Sequence, residues 1–580
     1  MKYFSVFLSL ILAQKVYAQQ SICPLLGPIF PPVNDPLKSD TVLDAIVHLN
    51  ATFENFNHNG TFDKLNTTLY LQAFSASDTL FQYGYVPPSM KDFLTSEAIN
   101  EDTVFRVGSV SKLFTVYALL AEVGMKYMAD PVTKWIPELA LAAKKSKGDA
   151  TRRIQWDEIT IGELAGQLAG IPRDFGLYDV ETTIQLKKEK PEKYGLPVLA
   201  NKDKPKCSIA DPHLEPCTRQ EFFEGVTANN SFPITSSGNT PVYSNLAYQI
   251  LAYALDGMTG KSFDESLKSS LLTPLSLNRT TMQAPKSKEN AMIPENEELS
   301  SWSSNTGDAS PCGGMFSTAA DLTRLGQSIL KSTILDPATT RSWLKPITHT
   351  ADLKMSVGMP WEIRRTSVPL GSGTRVVDLY TKNGALGLYT SIIVLSPDHD
   401  IGFVGLFAGP SRAALLAQMS DLLAENLLPA AEEAARETAE SRFAGTFKGP
   451  TNELTVVMDD TLVIRNWTRD GVDVLATQAA MMFPGLDVAM VARLYPMGLK
   501  GQGRMSFRAV LEAKKGGDAV EEGTEGSVGP FSGGCLTWGG VDSLDYGNVG
   551  LDDFEFEVDQ TGKATGIRPR VMRESLKKVN

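Results

Sequence analysis

Phe105-Arg-Val-Gly-Ser-Val-Ser-Lys-Leu-Phe114 is the stretch whose reading decides the fold. Ser109 and Lys112 stand three residues apart where a helix is expected to begin, and Leu113, Val116, Leu119, Leu120 and Val123 continue it as an apolar stripe. At that spacing both polar side chains project the same way. The lysine can then lower the proton affinity of the serine hydroxyl, or take its proton if it is itself neutral. The helix N-terminus adds N–H groups that favour developing negative charge. Asp130-Pro131 is expected to end the helix.

Ser-x-x-Lys alone discriminates poorly, since it recurs at Ser328/Lys331, Ser342/Lys345 and Ser575/Lys578. Two further patterns follow Ser109 in one block, Tyr243-Ser-Asn245 and Lys382-Asn-Gly384. Each has its own decoy, Tyr546-Gly-Asn548 and Lys514-Lys-Gly-Gly517, but only one set falls in order within one block. Tyr243 precedes a helical pattern, where its side chain can point into a cleft. Lys382-Asn-Gly384-Ala385 is expected to begin the strand that runs into Tyr389, offering a backbone edge to an acyl substrate.

With these motifs stand Asp130-Pro-Val-Thr-Lys-Trp-Ile-Pro137, Ile159-Thr-Ile-Gly-Glu-Leu164, Leu168-Ala-Gly-Ile-Pro172 and Gly313-Gly-Met-Phe-Ser-Thr-Ala-Ala-Asp-Leu322. From about Phe105 to about Leu428 the chain resembles the serine β-lactamases and penicillin-binding proteins, closest to the class C β-lactamase, D-aminopeptidase and esterase branch. The resemblance implies an α/β (α+β) fold, an antiparallel sheet flanked by helices. It implies Ser109 as nucleophile toward an ester, amide or lactam carbonyl, and Lys112 and Tyr243 as the groups sharing acid and base work. Asn245 and Lys382 would orient polar groups of the substrate and support the pKa of Tyr243. The N–H groups of Ser109 and Ala385, beside Gly384, would form the oxyanion hole. Two departures weigh against a β-lactam substrate: Asn383 stands where β-lactamases carry Thr or Ser, and Gly166-Gln-Leu-Ala-Gly170 replaces a His-Thr-Ser-Gly run. A carboxylic ester or amide of a small metabolite or peptide is the substrate class expected.

Acyl transfer to a metabolite alcohol could use the same residues, and a non-catalytic binding or scaffold protein on this fold is the alternative of a different class. A scaffold has no physical need for Ser109, Lys112, Tyr243 and Lys382 together. The chain carries no Gly-x-Ser-x-Gly elbow, which disfavours an α/β-hydrolase.

The chemistry sits in a long, acidic chain of 580 residues with net charge -12, enough for two or more cores. That charge argues against nucleic acid or an anionic membrane as partner. Met1-Lys2 precedes an apolar run from Phe4 to Ala13 and the small-residue site Val16-Tyr17-Ala18. The pattern predicts a signal peptide over 1–18, too short to span a bilayer core of about 30 Å, hence a secreted protein with no stable membrane anchor. Sequons at Asn50, Asn59, Asn66, Asn229, Asn278 and Asn466 agree with export and glycosylation. So does the local pair Cys207 and Cys217, a candidate disulfide; the pairing of Cys23, Cys312 and Cys535 stays open. His48, His58, His213, His349 and His399 show no metal-ligand spacing, so no metal site is expected, and acyl-serine chemistry needs no cofactor.

Around the motifs, a helical pattern with Leu43, Ile46, Val47 and Phe53 leads into a hairpin, Leu69–Phe74 and Thr79–Tyr85. Residues 173–239 read as a long loop region. Helices are expected over 245–255, 263–271, 319–330 and 412–428, and a second hairpin joins Tyr389–Leu395 to Ile401–Phe407. Pro429 to Ser441 reads as a linker helix, and beyond it β-type runs broken by glycine predict an all-β domain, with a flexible loop over 514–534. The domains expected are a catalytic one over 19–434 and a β-rich one over 435–580, which resembles the extension of secreted fungal family members around Leu536-Thr-Trp-Gly-Gly-Val-Asp-Ser-Leu-Asp-Tyr546.

Overall fold

The computed structural model describes residues 23–579 apart from 147–148, 177–178, 210–213, 230, 483, 486, 516–517 and 520–536. The expected signal peptide, His213, Cys535 and most of the expected flexible loop lie outside the described residues. The chain divides into two compact units, one of Leu43–Arg365 with Asp378–Leu427, the other of Thr366–Val377, Leu428–Asn580 and the described residues up to Val42.

The first unit is built on an antiparallel sheet, two of whose strands run on into the segment Thr366–Val377 of the second unit. Its strands are β1 (Thr68–Ser75), β2 (Thr79–Tyr85), β5 (Thr348–His349), β6 (Met355–Val357), β7 (Glu362–Leu370), β8 (Gly373–Leu386), β9 (Tyr389–Ser396) and β10 (Ile401–Ala408), with a separate ribbon of β3 (Phe105–Arg106) and β4 (Phe316–Ser317). The sheet order is β2-β1-β10-β9-β8-β7-β6-β5. Both expected hairpins are present. The run Ile401-Gly-Phe-Val-Gly-Leu-Phe-Ala408 is apolar throughout and Tyr389-Thr-Ser-Ile-Ile-Val-Leu-Ser396 is apolar at its centre, and every residue of β1, β9 and β10 is buried. The helix Ala319–Leu330 covers β1, β9 and β10, and it comes so close that a Cβ on Gly326 would sit 2.5 Å from the Phe74 ring.

Several expectations change. The Ser-Lys helix runs Ser111–Val123 and stops at Gly124 (φ +62°), before Asp130. Each residue from Ser111 to Leu120 is buried, so this is a helix packed all round rather than one with a single apolar stripe. Residues 173–239 hold two helices, Val180–Leu186 and Arg219–Val226. The second starts on a capping box, Thr218 with Glu221, whose signal in the sequence is Thr218-Arg-Gln-Glu221 ahead of Phe222-Phe223. The segments expected as a helix over 412–428 and a linker helix form one helix, Arg412–Phe443, with Pro429 inside it.

The second unit holds a ten-stranded sheet whose path from Asn452–Met458 through Gly445–Lys448 and Leu576–Val579 returns by Leu462–Arg469 to pair with Asn452–Met458 again, closing a barrel. The helix Val474–Met482 lies between two of the strands, and shorter helical turns at Thr537–Gly540 and Arg570–Met572 lie between others. Aromatic side chains fill the barrel: Phe443 and Phe507 pack on Phe556, and Trp467, 1% exposed, meets Phe554 edge-on at 5.3 Å. Trp467→Ala is therefore expected to cost this unit about 3–5 kcal/mol, read as a lowered urea midpoint by far-UV circular dichroism.

Candidate active site

Two glycines let two backbones meet. Gly108 takes φ +50° at the turn into the helix of Ser109. A Cβ on Gly108 would lie 2.4 Å from the Ala385 nitrogen, and one on Gly384 would lie 2.0 Å from the Val107 carbonyl oxygen and 2.9 Å from the Ser109 nitrogen. The end of β8 and the nucleophile turn thus touch through main chain alone, which brings the Ser109 and Ala385 N–H groups to one place. Ser391, paired with Gly384 across β8 and β9, donates to the Val107 carbonyl at 2.7 Å, and Ser111 donates to the Gly108 carbonyl at 2.7 Å. Lys382-Asn-Gly384-Ala385 ends β8 instead of opening the strand of Tyr389. Leu386 pairs with Tyr389 across the two-residue turn Gly387-Leu388, for which Gly387 supplies φ +54°.

The polar groups converge on a half-buried Ser109. Its Oγ accepts from Tyr243 Oη at 2.8 Å and from Lys112 Nζ at 2.9 Å. Lys112 is fully buried, and it also donates to Asn245 Oδ1 at 2.6 Å and to the Cys312 carbonyl. Lys382, 1% exposed, donates to Glu362 Oε1 at 2.5 Å, and its Nζ lies 5.4 Å from the centre of the Tyr243 ring. Burial works against ionising Tyr243, but the charges of Lys382 and Lys112 and the bond to Ser109 outweigh it and bring its pKa below the ordinary tyrosine value. Burial likewise works against the Lys382 ammonium, yet Glu362 and Tyr243 raise its pKa and keep it charged.

The structure therefore brings Ser109, Lys112, Tyr243, Asn245, Lys382, Gly384 and Ala385 together. Asn245 contacts Lys112 and occupies the N-cap position of the helix Leu246–Thr259 without a side-chain cap bond.

Four residues unnoticed as participants complete the site. Asp174 accepts from Asn245 Nδ2 at 2.7 Å, which turns the amide oxygen toward Lys112. Glu362 bonds Lys382 and also accepts from the Asn383 N–H at 3.1 Å. Cys312 supplies only its carbonyl; its thiol is buried and unpaired. Gln167, in left-handed backbone at φ +62°, accepts from Val242 N–H through its own carbonyl and from Ser244 N–H through Oε1, at 2.8 and 2.7 Å, clamping the chain on both sides of Tyr243. The sequence flagged Gln167 only as a departure.

Away from the site, Cys207 and Cys217 form a disulfide, and Cys23 is likewise disulfide-bonded. Asn50, Asn59, Asn229, Asn278 and Asn466 are exposed and Asn66 is half-buried. Among the described residues no cluster of His, Cys, Asp or Glu is arranged to hold a metal ion, and no helix is long and apolar enough to cross a membrane.

Residues 73–427 match the family model described as Beta-lactamase, and residues 435–580 match one described as Beta-lactamase-like-like, C-terminal domain. A "Beta-lactamase-like protein" of Arthroderma benhamiae is 28% identical over 596 residues, covering 96% of this chain and 95% of that one. A "Probable hydrolase clz13" of Cochliobolus lunatus is 25% identical over 470 residues, covering 77% of this chain and 72% of that one. Among solved structures, the octameric penicillin-binding protein homologue from Pyrococcus abyssi covers 91% of this chain and 100% of its own at 15% identity, with a TM-score of 0.48.

The missing space at Gly384 yields a direct expectation. Gly384→Ala should push β8 off the Ser109 turn and lower the rate of serine acylation by about a hundredfold or more, measured with a fluorophosphonate probe on protein whose circular dichroism is unchanged.

Proposed function

The chain belongs to the β-lactamase family of hydrolases, and we propose that it is a secreted serine hydrolase that cleaves a carboxylic ester or amide through an acyl-Ser109 intermediate. The observation that carries this reading is a half-exposed serine hydroxyl held 2.8 Å from a tyrosine whose pKa is lowered and 2.9 Å from a buried lysine. Ser109 Oγ bonds to the substrate carbonyl carbon and passes its proton to the Tyr243 phenolate, the 2.8 Å contact reversing its direction. The carbonyl oxygen becomes an oxyanion facing the N–H groups of Ser109 and Ala385. Its collapse breaks the bond to the alcohol or amine, which leaves with the proton from Tyr243. Water then attacks the acyl carbon, gives a proton to Tyr243, and the carboxylic acid departs as Ser109 recovers its proton. Lys112 steadies the serine oxygen throughout, and Lys382 holds the phenolate form of Tyr243 accessible.

The ester or amide class follows from Asn383 and Gly166-Gln-Leu-Ala-Gly170, which depart from the pattern associated with β-lactam recognition. Export is supported by the apolar run Phe4–Ala13, the exposed sequons and the Cys207–Cys217 disulfide, which suits an oxidising compartment.

Intact-mass analysis after fluorophosphonate treatment should show one adduct on the wild type and none on Ser109→Ala, with turnover of a chromogenic ester lost in parallel. Equal labelling of both proteins would sink the catalytic reading. The Lys382 charge gives a second test. Removing it takes away a cation that favours the phenolate, so the Tyr243 pKa must rise, and in Lys382→Met the acid limb of kcat/KM should move to higher pH.

A further inference from the structure

A cavity of about 520 Å³ opens between the helices Pro137–Ser146 and Arg219–Val226, and none of its lining residues belongs to the Ser109 site. Its size falls in the range of small-molecule sites, roughly 300–1,000 Å³. The floor is apolar: Ile154, Trp156, Phe223 and Val226 are all buried.

The charges on its walls are unevenly matched. Arg219 is committed to Glu138, with bonds of 2.8 and 3.1 Å, and its guanidinium lies over the Tyr253 ring at 4.7 Å. Glu224 accepts from the neutral Gln220 amide at 2.8 Å and keeps its own charge, so three cations and two carboxylates line the cavity and leave it one positive charge in excess. Lys145 and Arg153 line the same cavity, and neither has an ion-pair partner among the described residues. In a chain of net charge -12 with 67 acidic side chains, two such cations facing one apolar floor are conspicuous.

We infer that this cavity binds an amphipathic monoanion, its carboxylate held between Lys145 and Arg153 and its hydrocarbon body laid along Leu141 and Ala142, the accessible apolar side chains of the wall. A neutral chain of the same length keeps only the apolar contact, and a cationic one meets repulsion. The inference does not depend on Ser109 being a nucleophile.

The test is isothermal titration of the full chain with decanoate, decanol and decyltrimethylammonium at low salt. Decanoate should bind, decanol more weakly and the ammonium least. Lys145→Glu with Arg153→Glu should weaken decanoate by about tenfold or more, each lost ion contact being worth up to about 1 kcal/mol. Ala142→Trp, which fills the cavity without altering charge, should weaken decanoate and decanol alike. Binding should persist in protein whose Ser109 carries the fluorophosphonate adduct, which separates this cavity from the active site. Undetectable decanoate binding, equal affinity for the three probes, or unchanged affinity in both the charge and the filling variants overturns the assignment.

Discussion

A lysine amine with no access to water must find an acceptor for each N–H it presents, because an unmatched buried donor costs about 1–3 kcal/mol or more. Lys112 is in that position, and its three acceptors come from three elements: the serine of the turn that leads into its helix, the residue that opens Leu246–Thr259, and the carbonyl of Cys312. The demand propagates outward. Asn245 can show its oxygen to Lys112 only while Asp174 accepts from its nitrogen. Asp174 in turn adjoins Phe175, whose ring leaves no room for a Cβ on Gly225 in the helix Arg219–Val226. One unhydrated amine is thus tied, directly or through Asn245, to residues of several elements.

A second cation does different work. Lys382 is balanced by Glu362 as well as by Tyr243, so it can stay charged out of water while still pulling the tyrosine toward its phenolate. The two lysines divide the labour. Lys112 touches the serine oxygen directly, whereas Lys382 acts at a distance on the group that exchanges protons with it.

What was legible in the sequence was local or ordered. Ser109 with Lys112 announced itself by helical spacing, Tyr243 and Lys382 by their order along the chain, and the two hairpins by alternating or apolar runs between turn residues. The capping box at Thr218 was equally local and could have been read. Asp174 and Glu362 were not legible, because they matter through contacts that span 71 and 20 residues, and nothing near an aspartate or glutamate in sequence says which cation or amide it will meet. Gln167 looked like a lapse from a pattern, while its clamp on Val242 and Ser244 depends on a left-handed backbone that the letters do not display. The strand expected to begin at Lys382 is instead the end of β8, because the Gly387-Leu388 turn reads as strand when only one side of it is strongly apolar. Pro429 suggested a break, but a helix that already has its neighbours packed can carry a proline.

The strand order has a consequence for how the chain is made. β1 lies in the interior of the sheet between β2 and β10, and the Thr68↔Ala408 and Ser75↔Ile401 pairs join segments synthesised more than three hundred residues apart. At about 5–20 residues per second, roughly a quarter of a minute to a minute passes before β10 follows β1 out of the ribosome. During that time the backbone groups along one edge of β1 have no partner strand, and β1 is paired with β2 alone. Such an unpaired edge is a template for pairing with another chain, so the strand order exposes the newborn protein to aggregation before the groups around Ser109 are complete.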